Sequence, residues 1–76
     1  MNKVSELIDL RNRFKYHKPD DVKIETHQNL REEFLDLSIF VHEICPPSRE
    51  RSLAITKLEE ALFWANASVA RYEIEE

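Results

Sequence analysis

No glycine occurs anywhere in these 76 residues. Tight hairpin turns and left-handed helix ends draw on glycine's freedom at positive φ, so a chain without it is poorly equipped for a strand-and-turn fold. Helices remain, and the prolines divide them. Pro19, followed by Asp20 and Asp21, reads as a break and then an N-cap with acids favoured by the helix dipole, which predicts a helix from about 21 to 44. Within it Leu30, Phe34, Leu37, Val41 and Ile44 step by four, three, four and three and form one stripe, widened by Leu35, Ile39 and Phe40. Pro46 and Pro47 stop that helix, because proline lacks the amide hydrogen and disfavours helical geometry in the residue before it. Ser48 is placed to cap the next one, predicted over about 48–73.

In that last helix Ala54, Leu58, Ala61, Ala65, Ser68 and Tyr72 recur at four-three spacing, and Ile55, Leu62 and Val69 lie on an adjacent heptad seam. One seam can face the preceding helix across the Pro46-Pro47 turn. The small residues on the other admit a further helix closely. Val4, Leu7 and Ile8 suggest a short first helix over about 3–12, joined by a connector over 13–20. The expectation is a single all-α domain over 1–76: a short N-terminal helix, then a long antiparallel hairpin.

Such a chain has room for little core of its own. A lone cysteine, Cys45, excludes an intramolecular disulfide, and no metal-ligand spacing is present, so association between copies is the expected supplement. The residues expected to carry it are Leu58, Ala61, Leu62, Trp64 and Ala65, with Trp64 as an anchor. No charge-free apolar run reaches the length of a membrane span and Met1–Leu10 does not read as a signal peptide, so a cytoplasmic protein is expected.

The formal charge of −4 argues against binding polymeric nucleic acid, which needs a broad basic surface. Its distribution is uneven: Arg11, Arg13, Lys15 and Lys18 occur with no acid among them, interleaved with Phe14, Tyr16 and His17. There is no glycine-rich phosphate loop, nucleophile elbow or set of metal ligands, so neither catalysis nor a cofactor is expected. His27 and His42 read as ordinary polar residues, and the Lys57–Glu60 run reads as a solvated face.

Two constellations suit an aromatic anion. The first is Phe14-Lys15-Tyr16-His17-Lys18, which supplies π-surfaces for bases and donors for phosphates. Physics alone favours a plainer role, in which Phe14 and Tyr16 pin the first helix to the hairpin. The second is Ser48-Arg49-Glu50-Arg51-Ser52, a helix start with arginines and hydroxyls. Its plainer role is a capped helix whose arginines pair with Glu32, Glu33 or solvent. Lys57, Trp64 and Arg71 recur every seven residues along one face.

The stretch Arg13–Pro19, together with Cys45–Ala67 (CPPSRERSLAITKLEEALFWANA), resembles the phage anti-CBASS/Thoeris sponge hairpin family. Members are helical proteins that sequester the cyclic oligonucleotide messengers of bacterial immune systems without cleaving them. The resemblance implies a homo-oligomer, commonly a hexamer, in the cytoplasm of the infected bacterial host. Cyclic dinucleotides such as cyclic GMP-AMP would lie between protomers, and cyclic trinucleotides in separate pockets about a threefold axis. It implies that Tyr16 stacks on a base, with Phe14, His17 and Lys18 around it, and that Arg31 contacts phosphate. Arg49, Ser52, Thr56 and Lys57 fall in the matching block, and Arg71 is a further ligand candidate. The competing expectation is a helical protein-interaction module without a nucleotide ligand.

Overall fold

In a computed structural model, which describes residues 3–74, the chain forms three α-helices and, among the described residues, no strand. They are α1 (Lys3–Phe14), α2 (Asp21–Ile44) and α3 (Arg49–Arg71). Asp20 caps α2, its carboxylate accepting the Lys23 amide at 2.8 Å, and Ser48 caps α3, its hydroxyl accepting the Arg51 amide at 3.0 Å. Phe14 belongs to the first helix rather than to the connector, and Tyr72 is the C-cap of α3.

The absence of glycine has a direct structural consequence at the other ends of the helices. No described residue has positive φ, and the C-caps Cys45 and Tyr72 are extended (φ −91° and −130°). Helices commonly satisfy their last carbonyls through a left-handed residue just beyond the end. Here side chains from neighbouring segments do so. Arg51 Nη1 donates to His42 O (3.1 Å) and Cys45 O (3.3 Å) at the end of α2. Lys23 Nζ reaches Ala70 O (3.4 Å) and Asn12 Nδ2 reaches Arg71 O (3.5 Å) at the end of α3.

These contacts, with a 2.7 Å hydrogen bond from His27 Nδ1 to Asn66 Oδ1, fix α2 and α3 antiparallel with Lys23 opposite Ala70, His27 opposite Asn66 and His42 opposite Arg51. The half-buried positions of α2 are Lys23, Thr26, His27, Leu30, Phe34, Ser38 and Val41, followed by Cys45. Leu37 and Ile44, placed by their spacing on this stripe, are 46% and 61% exposed. The seam passes through Ser38 and Cys45 instead, because a straight helix drifts about 20° per heptad relative to a 3.5-residue repeat. On α3 the half-buried seam is Ile55, Leu58, Leu62, Ala65 and Val69, while Ala54, Ala61 and Ser68 are exposed.

No described residue is buried. The Cα radius of gyration is 16.1 Å, against about 11 Å for a compact domain of this length. The accessible surface is 6541 Å², against about 4,900 Å² for a compact monomer of this mass. Leu35, Phe40, Phe63 and Trp64 are 54–65% exposed. The hairpin is therefore a single seam covered from one side.

Candidate ligand-binding site

The basic and aromatic connector is positioned by how α1 ends. Its last carbonyls are taken in turn by the Lys15 amide on Arg11 O (3.0 Å), the His17 Nε2–H on Asn12 O (2.6 Å) and Arg71 Nη2 on Arg13 O (3.5 Å). Because Asn12 in turn donates to Arg71 O, residues 59 positions apart are tied together where α1, the connector and the end of α3 meet. This is the open end of the hairpin.

The tie is polar, and the rings take no part in it. Phe14 is 82% and Tyr16 83% exposed. The plainer role for these rings, pinning α1 to the hairpin, is thus filled by Asn12 and Arg71 instead. Lys15 and Lys18 are exposed beside the rings and, among the described residues, hold no ion pair. Arg13 pairs with Asp9 at 3.6 Å. Phe14 at the end of α1 and Tyr16 in the connector offer two exposed rings beside the Lys15 and Lys18 cations, which can stack on a base and neutralise a phosphate.

The second constellation lies elsewhere. Arg51 is committed to the carbonyls closing α2, not to Glu32 or Glu33, and the Ser48 hydroxyl also donates to Pro46 O (3.0 Å). Arg49, Ser52 and Thr56 are exposed on the first turns of α3, and Lys57 forms an exposed ion pair with Glu60 at 3.4 Å. At the helical rise, Arg49 and Arg71 stand about 33 Å apart along α3. Within one chain the two constellations therefore occupy opposite ends of the hairpin. Arg31 lies between them, lining an apolar groove of about 380 Å³ with Phe34, Leu35, Ile55, Leu58 and Leu62. Leu58, Leu62 and Ala65 face the intrachain seam in part, whereas Ala61 and Trp64 are exposed.

Sequence spacing missed Asn12, Lys23, His27 and Asn66, whose partners lie 39–59 positions away and leave no local periodicity to read. Among the described residues, no three His, Cys, Asp or Glu side chains gather as metal ligands, and no helix is long and apolar enough to cross a membrane.

A family model described as "Acb2/Tad1, hairpin domain" matches residues 6–70, which takes in most of α1, the connector, the turn and nearly all of α3. No curated protein and no solved structure matches the chain.

Proposed function

Because the chain belongs to the Acb2/Tad1 hairpin-domain family, the anti-CBASS/Thoeris sponge family that its sequence resembles, we propose that it is a phage anti-defence protein that binds cyclic oligonucleotide messengers without cleaving them. Retention alone would withhold the messenger from its effector in the infected bacterial cytoplasm. The observation that carries the reading is the junction of α1 and the connector: Phe14 and Tyr16 project from it with both rings more than four-fifths exposed, next to Lys15 and Lys18, which hold no ion pair among the described residues. Side chains that only held the fold together would be covered.

In this reading Tyr16 stacks on a base, and Phe14, Lys18 and Arg31 complete the dinucleotide site. His17 spends Nε2 on Asn12 and keeps Nδ1 for the ligand. The missing core supports assembly into a homo-oligomer, for which a hexamer is the family's common form. The surface in excess of a compact monomer is about 1,600 Å², enough for two standard contacts of about 800 Å² per partner. Leu35, Phe40, Ala61 and Trp64 would be covered there. Assembly is also the way for Arg49, Ser52, Thr56 and Lys57 of one protomer to meet the open end of another, or to form a separate trinucleotide pocket.

Calorimetric titration against cyclic GMP-AMP, cyclic di-AMP, cyclic di-GMP and cyclic tri-AMP tests the reading. A saturable heat with sub-micromolar affinity for at least one is expected, since a stack and a charge-assisted contact are each worth about 1–3 kcal/mol. Silence across the panel from a monodisperse oligomer would shift the function to protein–protein interaction.

A further inference from the structure

A groove of about 410 Å³ runs between α1 and the end of α3, lined by Ile8, Arg11, Lys15 and Tyr72 among others. None of these belongs to the set that the family resemblance implies. The volume falls in the range of small-molecule clefts, about 300–1,000 Å³. Lys15 follows directly on α1, its amide still bonded to Arg11 O at 3.0 Å, and both side chains line the groove. Among the described residues neither forms an ion pair. Asp9, an acid in the groove's lining, pairs with Arg13 at 3.6 Å and with neither of these two cations. Tyr72, 53% exposed, closes the opposite wall with an aromatic face. The walls are tied to each other by the Asn12–Arg71 and Arg71–Arg13 hydrogen bonds, so the groove exists before any ligand arrives.

We propose that this groove seats one nucleotide unit of the messenger, with Arg11 and Lys15 on a phosphodiester and Tyr72 against a base. The proposal rests on the sponge reading and extends it. Lys15 lines the groove and Tyr16 is the next residue, so the groove adjoins the connector. Arg11 and Lys15 then supply the charge that the exposed rings cannot.

Calorimetry with cyclic GMP-AMP on the assembled protein, checked by light scattering and circular dichroism, separates the possibilities. Arg11→Gln and Lys15→Gln are each expected to raise Kd about tenfold or more, as befits loss of a charge-assisted contact. Tyr72→Ala should do likewise while Tyr72→Phe, which keeps the ring, restores binding. Lys3→Gln removes the same charge from α1 outside the groove and should change Kd by less than about twofold. If Tyr16→Ala abolishes binding but Arg11→Gln and Lys15→Gln bind as tightly as the unaltered protein, the groove proposal falls and the sponge reading stands. If the unaltered protein gives no heat with cyclic GMP-AMP or with any other of the four cyclic nucleotides, both fall.

Discussion

The two ends of the hairpin are built from the same materials, prolines, arginines and a capping side chain, yet they use them differently. At the turn, Arg51 spends its guanidinium on His42 O and Cys45 O, and Ser48 accepts from the Arg51 amide while donating to Pro46 O. Arg51 and Ser48 are consumed there in closing the chain, while Arg49, Ser52 and Thr56 stay exposed. At the open end Asn12, His17 and Arg71 do the closing, and Phe14, Tyr16, Arg11 and Lys15 are left facing outward. An arginine beside a helix end is a structural residue when a carbonyl has claimed it and a recognition residue when nothing has. Composition alone does not distinguish them.

Four substitutions sharpen that contrast. The largest effect is expected at the open end, where Tyr16→Ala should weaken messenger binding about tenfold to a hundredfold, the loss of a base stack, while leaving the urea midpoint unchanged. A shifted midpoint with unchanged affinity would make Tyr16 a structural ring. Next comes the turn: Arg51→Ala should lower unfolding free energy by about 1–2 kcal/mol in a urea titration and leave the affinity of the folded protein as it was. Were binding lost first, the turn would belong to the ligand site. Ser48→Ala removes one cap and should lower stability by about 1 kcal/mol, followed by thermal unfolding. The smallest change is expected for Lys57→Gln: its ion pair with Glu60 is exposed, and midpoint shifts should correspond to no more than about 0.5 kcal/mol. A loss of trinucleotide affinity in that variant would assign Lys57 to a pocket between protomers.

Much of the fold was legible because prolines and capping residues act locally. Pro19-Asp20 and Pro46-Pro47-Ser48 place the start of α2 and the turn before α3 without any knowledge of tertiary structure. The seam was legible only in part. Leu30, Phe34 and Val41 face α3, but the heptad count continues to Leu37 and Ile44, where the helix has already rotated them toward solvent. The exposure of Leu37, Ile39 and Phe40 also fits a second apolar face, which one chain cannot cover.

The candidate site divides along the same line. That Phe14–Lys18 is rich in rings and cations is plain in the sequence; that its rings stay uncovered follows from Asn12 and Arg71 meeting across 59 positions, which no window of residues reveals. The absence of glycine, by contrast, carries through from sequence to site. It denies the helices left-handed caps, and His17, Asn12, Arg51, Lys23 and Arg71 serve the orphaned carbonyls in their place.

The most direct test of a binding protein that leaves its ligand intact is a capture-and-release measurement run in turn with cyclic GMP-AMP, cyclic di-AMP, cyclic di-GMP and cyclic tri-AMP, and judged on whichever of them binds most tightly. The purified protein is incubated with a sub-stoichiometric amount, the free nucleotide is quantified by chromatography, and the mixture is then heat-denatured and quantified again. The account predicts that free messenger disappears on mixing and returns unaltered and in full after heating. Messenger that stays free throughout, or that returns as linear or hydrolysed products, would contradict it.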